Sequence, residues 1–528
     1  MAQPVSEYQD IQGIVRSGYG KLDEASFLLL RITDVREAKA WLAAVVEAPG
    51  TTGRSYHVTH AGNFGSYLPR ALQVAMTAPG IRKLGAPDVL FQEGSPHAFP
   101  REFRLGMAAE APDIEGRSRR LGDLGDNAPY NWDWGGSPAQ TPDALVMLYA
   151  EKGGLAGFQQ MVTADLAAGF EMVRVLDTAI VSDKGRQRRE PFGFVDGISQ
   201  PEIDWEARRT PATVDDLEYG NLIAAGEFLL GYENEYGLFT QRPLLDPVLD
   251  PENILSPAQD DPGRRDLGRN GCYLVLRQLE QDVAGFWQFL RQESPDDDGV
   301  SLGEAMVGRR LTNGDPLIKA TRAEIRGVDP RPDQLRQNGF TYDSDPEGLA
   351  CPFGAHIRRA NPRTADLPGG RQGLVSRLLR MLGLKQGDPR DDLISSSRFH
   401  RIIRRGRPYG AVIGKRESML GDESHGAPTG IHFICLNANI ARQFEFIQNA
   451  WIVNARFNAM HSEADPLLGN RLPFPGTQPT DTFSVPDLFG PNRRITGLPR
   501  FVTVRGGAYF FLPSLRALRF LARQGREP

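Results

Sequence analysis

The sequence predicts an α+β fold with antiparallel sheets, and three observations support this. Short apolar runs that are typical of strands alternate with segments whose apolar residues recur at helical spacing. The alternation stops in a stretch rich in Pro, Asp and Gly at 241–270 and then begins again. At 528 residues the chain exceeds what one hydrophobic core usually supports. We therefore expect two units, at 1–240 and 271–528, joined by a linker or surface excursion at 241–270.

In the first unit, SFLLLRI (26–32) predicts a strand and VREAKAWLAAVVE (35–47) predicts a helix with Asp34 as its N-cap. LQVAMTAPGIRKLG predicts a strand that leads into a helix, and TPDALVMLYA and EMVRVLDTAIV predict further buried strands. Such a mixture is typical of an antiparallel sheet with helices on one face.

The second unit repeats this alternation without a repeat in sequence identity. GCYLVLRQL, IHFICLNANI and FVTVRGGAYFFLPS predict strands, and VAGFWQFLRQ and RQFEFIQNAWI predict helices. A second excursion at 362–397 contains LVSRLLRMLGL (374–384), which predicts an amphipathic surface helix.

Composition excludes several classes of protein. The formal net charge is only −5 and charges of both signs are interspersed, so nothing indicates nucleic acid or an anionic membrane as a partner. Three widely spaced cysteines exclude a disulfide framework and an all-cysteine metal site. The first residues do not resemble a secretory signal, and no apolar run approaches the roughly 18 residues of a membrane span. We expect a soluble, cytoplasmic protein.

Three motif-like stretches lack the context that their chemistry needs. GVSLG (299–303) matches a nucleophile elbow, but it follows PDDDG rather than an apolar strand. The acids at 296–298 suggest a calcium loop, but its twelfth position is Ala305 instead of Glu. His57 and His60 have the spacing of helix-borne ligands in a segment that is not helical, and no third ligand is evident.

CPFGAHIRRANPR (351–363) is the stronger candidate for a site. A lone histidine in such a stretch is more often structural, but an apolar approach keeps the imidazole of His356 neutral and able to bind a metal. The arginines that follow, Arg358, Arg359 and Arg363, suit a ligand with carboxylate arms. Haem needs both an axial imidazole and partners for its propionates.

Two further segments could complete such a site. GFVDGISQP places Asp196 in a tight apolar turn between glycines. FHRIIRRGRPYG (399–410) contains four arginines around two isoleucines and, taken alone, is typical of a basic edge strand. Beside a buried acid and a haem-binding histidine, one of these arginines could stabilise negative charge that develops during a reaction.

Together these motifs resemble those of the dye-decolourising peroxidases, and in particular the larger members of that family. The resemblance runs from DIQGIVRSGYGKL through WDWGGSP, GFVDGISQP, CPFGAHIRRANPR and IIRRGRPYG to VRGGAYFFLPS. It implies two ferredoxin-like α+β domains with antiparallel sheets that enclose a pocket for one haem b per chain. It also implies that hydrogen peroxide drives oxidation of dyes, phenols or similar organic donors through a ferryl intermediate.

The family's site residues are carried over position by position. Asp196 matches the distal acid, His356 the proximal iron ligand and Arg404 the distal arginine. Arg405 takes the place of Arg404 if the strand register differs by one, because a shift of one residue turns every side chain to the other face.

Other cofactor contacts are implied in the same way. Glu445 is the candidate for the carboxylate that orients the proximal histidine, and Arg358 or Asn361 is expected to meet a propionate. Gly193 and Gly197 are expected to let the backbone approach the porphyrin, where a side chain would collide.

Two other functions stay open at this point. The first is a haem carrier or porphyrin-modifying protein with weak peroxidase activity, and the second is a binding protein that keeps the fold without haem. A distal acid favours turnover, since storage of haem does not need one. Trp451 and Tyr409 are possible electron relays from the surface, although most aromatic residues are simply core residues. We expect a monomer or small homo-oligomer.

Overall fold

The computed structural model describes residues 3–47, 51, 53–108, 117–179, 188–208, 221–318, 337–363, 397–410, 428–471 and 479–525. The surface helix predicted at 374–384 lies outside these ranges.

Within the described ranges, nine strands form one antiparallel sheet. The strands and main helices follow in the order β1 (Glu24–Ile32), α1 (Val35–Val46), β2 (Arg70–Met76), β3 (Ala144–Ala150), α2 (Leu155–Leu166), β4 (Phe170–Asp177), β5 (Cys272–Gln281), α3 (Val283–Glu293), α4 (His356–Ala360), β6 (Ile403–Arg404), β7 (Arg407–Tyr409), β8 (Gly430–Asn437), β9 (Val502–Leu512) and α5 (Leu515–Arg523). A π-helical segment follows β8 in two parts, Ala441–Glu445 and Ile447–Ile452.

Shorter elements connect these. The short α-helices are Ala78–Lys83, Arg101–Leu105, Arg117–Leu121 and Val300–Val307. The small two-stranded sheets are Glu202–Asp204 with Leu222–Ala224, Leu244–Leu245 with Arg265–Asp266, and Phe483–Val485 with Arg493–Ile495. Every predicted strand and helix that falls within the described ranges is present, and RQFEFIQNAWI forms the π-helical segment.

The sheet consists of two ferredoxin-like halves. Its strand order is β6-β8-β5-β9-β2-β3-β1-β4, and β7 also pairs with β8. Strands β1 to β4, with α1 and α2 as crossovers, form a β-α-β-β-α-β unit, and β5 to β9 repeat this order with α3 and the π-helical segment as crossovers. The predicted fold class is therefore confirmed.

The two halves meet through elements from the end of the chain. Strand β9 pairs with β2 at Phe511 and Met76. Helix α5 packs against α1, where Arg519 Nη2 donates to the carbonyl of Val46 at 2.9 Å. The predicted boundaries at 240 and 270 stay predictions, and the segment between them forms its own contacts, such as Arg242 Nε to Asp266 at 2.7 Å.

Alternating strand residues fill two cores, one on each face of the sheet. Leu28 and Leu30 of β1 contact the helical layer, whereas Phe27 and Leu29 contact a layer formed by the N-terminal segment and loops. The expectation that helices cover one face is correct, but the other face is also covered. Because both faces of the sheet are buried, most strand sequences are continuous apolar runs and do not alternate between apolar and polar residues.

Two local predictions have different outcomes. Asp34 caps α1 as predicted, accepting from the N–H groups of Arg36 and Glu37 at 2.9 and 3.0 Å. Strand β4 was predicted to be buried, but it lies at the sheet edge and most of its side chains are partly or fully exposed.

Among the described helices, none is both long and apolar enough to cross a lipid bilayer.

Candidate active site

A cavity of about 290 Å³ lies against the second half of the sheet. Its floor comes from β5, β8 and the start of β9, and its walls come from the loop at 190–201, helix α4, the segment at 397–406 and the π-helical segment. Most of its lining is apolar. The charged and imidazole side chains that reach it are Glu190, Asp196, Arg309, His356, Arg363, His400, Arg401 and Arg404.

Hydrogen bonds within the loop at 190–197 position Asp196. The Glu190 carboxylate accepts from the N–H groups of Phe192 and Phe194 at 3.0 and 2.9 Å. Gly193 and Gly197 have φ of +97° and +76°, a backbone conformation that favours glycine. The two glycines therefore have a conformational role in the turn, and neither is among the residues that line the cavity. Their predicted contact with a cofactor stays a prediction.

Gln200, in the same loop, joins this turn to strand β6. Its side-chain oxygen accepts from the N–H of Arg404 at 2.9 Å, and its Nε2 donates to the Arg404 carbonyl at 3.2 Å. Because β6 is an edge strand, its outward backbone groups are available for this pairing. The two sequence motifs are thereby held together across 204 residues of chain.

Asp196 and Arg404 form an ion pair inside the cavity, with Nη1 and Oδ1 3.0 Å apart. The Asp196 side chain is 43 % exposed and the Arg404 side chain is 35 % exposed, and both line the cavity. Burial raises the pKa of Asp196, but Arg404 and the N–H of Gly197 lower it by more, so this pKa lies below its ordinary value. Arg405 instead donates to the carbonyls of Ile14 and Val15. Arg404, and not Arg405, is therefore the arginine beside Asp196.

His356 begins helix α4 and lines the same cavity. Its Nδ1 lies 2.9 Å from Oδ2 of Asp465, which is fully buried. Burial raises the pKa of Asp465, but His356 and the N–H of Leu468 lower it by more, so the carboxylate is ionised and Nδ1–H donates to it. This fixes the tautomer and leaves Nε2 without a hydrogen-bond partner among the described residues.

The prediction that Glu445 orients His356 is wrong, because Asp465 takes that place. The backbone of the π-helical segment bonds from i to i−5, as in Glu445 N–H to Ile440 O at 2.9 Å. Phe444, Ile447 and Trp451 of this segment line the cavity, while Glu445 points away. Its carboxylate is buried against Arg117, Arg120 and the hydroxyl of Tyr509.

The prediction that Arg358 meets a propionate is also wrong. Its guanidinium is 1 % exposed, donates to Asp345 Oδ2 at 2.8 Å and lies between the rings of Tyr342 and Phe353. Since Arg358 pairs with Asp345 and does not line the cavity, it is not placed to meet a ligand there. Asn361 does line the cavity, so its predicted role stays a prediction.

Arg309 lines the cavity but was not predicted. It donates to the carbonyls of Gly314 and Gln337 at 2.7 and 2.9 Å, and in the described structure no carboxylate lies within ion-pair distance of it. Burial, with Arg363 and Arg404 nearby, lowers its pKa to about 10, so it keeps its positive charge. Arg309 therefore brings to the cavity a positive charge that no described carboxylate pairs with.

Comparisons with known proteins find relatives in sequence and in fold. No protein-family model matches the chain. A dye-decolorizing peroxidase, msp1, from Mycetinis scorodonius is 27 % identical over 97 % of this chain and 86 % of its own length. A multifunctional dye peroxidase, DyP2, from Amycolatopsis sp. is 29 % identical over 79 % of each chain.

Solved structures share the fold. A fungal DyP-type peroxidase from Auricularia auricula-judae superposes with a TM-score of 0.68 at 22 % identity, covering 98 % of this chain and 99 % of that one. A DyP-type peroxidase from Anabaena sp. gives 0.66 at 22 % identity over 97 % and 94 % of the two chains. The chain is therefore similar in sequence to proteins named dye-decolorizing peroxidases, and it shares its fold with DyP-type peroxidases of similar length.

Proposed function

We propose that the protein is a haem peroxidase that uses hydrogen peroxide to oxidise dyes, phenols or similar organic donors, with one haem b per chain. One observation carries this proposal: the Asp196–Arg404 pair and the Asp465-supported His356 line the same apolar cavity. The acid and the arginine would supply proton transfer and charge stabilisation, and the histidine would hold the iron.

The residues of the cavity fit a haem. His356 would bind the iron through Nε2, since Nδ1 is occupied by Asp465. The apolar lining suits the porphyrin faces, and the guanidinium of Arg309, which pairs with no described carboxylate, suits a propionate. A Cβ at Gly197 would meet no protein atom within 4 Å, so the backbone there leaves room for a neighbouring group.

When bound, haem would supply the redox chemistry that the protein side chains lack. Asp196 accepts the proton of the peroxide oxygen that binds and returns it to the oxygen that leaves as water. Arg404 would stabilise the negative charge that develops as the O–O bond breaks. Asp465 orients His356 and increases the electron donation of its imidazole.

A carrier or porphyrin-modifying protein is the weaker reading, because binding alone does not require the Asp196–Arg404 pair. Cytoplasmic location and a monomeric or small homo-oligomeric state remain predictions from the sequence.

We expect the purified protein to show a Soret band that changes when hydrogen peroxide is added. Absorption spectra before and after one equivalent of peroxide measure this. A protein without a Soret band after haem reconstitution contradicts every haem function, and a band that peroxide leaves unchanged contradicts the peroxidase.

The rate of the peroxide reaction is expected to be highest at acidic pH. Asp196 has a lowered pKa and therefore stays ionised, and able to accept a proton, well below neutrality. Burial raises the pKa of Glu190 to about 7, so this second acid in the cavity is neutral at acidic pH and becomes charged as pH rises through about 7. That added negative charge opposes the charge that develops on the leaving oxygen.

Stopped-flow rates of the Soret change between pH 4 and pH 8 test this expectation. Glu190→Gln, which cannot ionise, is expected to shift the alkaline decline to higher pH and to leave the acidic side unchanged. A wild-type rate that rises from pH 4 to pH 8 would contradict the role given to Asp196. An unchanged alkaline decline in Glu190→Gln would contradict the role given to Glu190.

A further inference from the structure

A second cavity, of about 320 Å³, lies on the opposite side of strand β6 from the first. Ile402 and Arg404 line the first cavity, whereas Ile403 and Arg405 line the second. This follows from strand geometry, because successive side chains point to opposite faces. Pro201 lines both cavities, so little more than the backbone of β6 and the chain at Pro201 separates them.

Arg16 lines the second cavity and is surrounded by aromatic rings. Its guanidinium carbon lies 4.5, 4.6 and 5.5 Å from the ring centres of Tyr8, Phe64 and Trp205. Nη1 donates weakly to Ala61 O at 3.3 Å, and in the described part of the chain no carboxylate lies within ion-pair distance of Arg16. Stacking on rings occupies the faces of a guanidinium. The N–H groups along its edge stay available to bind an oxyanion.

The other charged groups of this cavity are Arg208, Arg405, Glu202, Asp204 and Glu206. Arg208 and Glu206 pair with each other at 2.5 Å, and Asp204 Oδ1 accepts from the backbone N–H of Arg208 at 3.0 Å. Arg405 donates to backbone carbonyls and adds a second positive charge that no carboxylate neutralises directly among the described residues. An anionic group is therefore attracted to the side of the cavity formed by Arg16 and Arg405.

Glu202 and Trp205 supply the remaining chemistry. No described residue donates a hydrogen bond to the Glu202 carboxylate, and burial raises its pKa above the ordinary value. The indole N–H of Trp205 has no acceptor among the residues that the structure describes. Both side chains line the cavity, so they offer a proton acceptor and an aromatic face to a ligand.

We propose that this cavity binds a phenol that carries an acid group, with its ring on Trp205, its acid group at Arg16 and its hydroxyl at Glu202. This inference rests on the proposed function for the oxidant. The phenolic O–H bond breaks, its proton passes to Glu202, and one electron passes to the enzyme that peroxide has oxidised. The product is a phenoxyl radical, and the enzyme is reduced by one electron.

The probe for binding is 4-hydroxybenzenesulfonate, added to the haem-loaded enzyme without peroxide and followed by calorimetry. We expect one binding site and a loss of affinity of about tenfold or more in Arg16→Gln, because a charge-assisted pair is removed. Arg82→Gln is the matched control, since Arg82 also lies over a ring, 4.0 Å from the centre of Phe91, away from this cavity. Phenol, which lacks the acid group, is expected to bind equally to wild type and Arg16→Gln.

Cyanide distinguishes probe binding at the haem from probe binding in the second cavity, because cyanide binds to the iron. Enzyme saturated with cyanide is expected to bind the probe with unchanged affinity. Displacement of the probe by cyanide, or wild-type affinity in Arg16→Gln, would overturn the site. Because the cyanide experiment uses wild-type protein, the proposal can be tested even if Arg16→Gln does not fold.

Glu202→Gln tests the proton acceptor. We expect it to bind the probe normally but to oxidise it about 10²-fold more slowly. Its rate with ferrocyanide, which loses an electron without a proton, should equal that of wild type. If Glu202→Gln oxidised the probe at the wild-type rate, Glu202 would not be the proton acceptor. If the probe binds in an Arg16-dependent manner but peroxide leaves the Soret band unchanged, the proposed function fails while the binding site stands.

Discussion

Asp196→Asn and Arg404→Leu are each expected to slow the reaction with hydrogen peroxide by about 10²–10⁴-fold while the haem content stays unchanged. Asparagine cannot accept the peroxide proton. Leucine removes the charge that stabilises the breaking O–O bond and also raises the pKa of Asp196, which Arg404 holds down. Stopped-flow measurement of the Soret change at several peroxide concentrations gives the rate constants, and the haem-to-protein absorbance ratio gives the occupancy.

Asp88 and Arg82 offer a matched pair of controls. They form an ion pair at 3.6 Å on the surface and do not line the cavity. Asp88→Asn and Arg82→Gln should therefore react with peroxide at the wild-type rate. If Asp196→Asn and Arg404→Leu also keep the wild-type rate, neither residue belongs to the mechanism.

His356→Gly is expected to lose the bound haem, and Asp465→Asn is expected to lower haem affinity or peroxide rate by about 10–100-fold. Asp465 uses its two oxygens differently. Oδ1 accepts from the N–H groups of Leu467 and Leu468, and Oδ2 accepts from His356. Asparagine can keep the first set of bonds through its oxygen, but its NH2 group cannot accept from the imidazole.

Haem titration followed by the Soret band measures both effects. Added imidazole should restore a Soret band to His356→Gly by filling the space of the lost side chain. Tight haem binding by His356→Gly without imidazole would show that another residue holds the iron.

Glu445→Gln separates the predicted from the observed partner of His356. It should leave the haem spectrum unchanged, because Glu445 does not contact His356. It should lower the free energy of unfolding by about 3–5 kcal/mol, because buried Arg117 loses its partner. Denaturant unfolding checks the second effect, and an altered haem spectrum in this variant would contradict the assignment of Asp465.

The fold could be predicted from the sequence because its signals are local. Apolar runs and helical spacing identified strands β1, β5 and β9, and Asp34 identified the start of α1. Asp196, His356 and Arg404 also stand in short motifs, and the structure brings all three to one cavity, while their roles stay predictions from the resemblance. The exposure of β4 could not be predicted, because its sequence is apolar enough for either position and only the strand order places it at an edge.

The partner of His356 could not be predicted, because it depends on packing between distant segments. Asp465 lies 109 residues further along the chain, in HSEADPLLGN, which carries no motif. Glu445 was the wrong choice because a π-helical turn rotates side chains differently from an α-helix, so the direction of one residue does not follow from its neighbours. Arg358 was wrong because Asp345, which neutralises it, comes from another loop.

The pairing of β9 with β2 has a consequence for synthesis on the ribosome. Strand β2 is made early, but its neighbour β9 is made only after all the other strands of the main sheet. Until then the first half has an unpaired strand edge, which is the kind of surface that recruits other chains. Helix α1 likewise lacks its packing partner until α5 has been made. The nascent protein therefore needs strand β9 to cover this edge, and the first cavity, which Val502 of β9 also lines, is complete only after that strand is made.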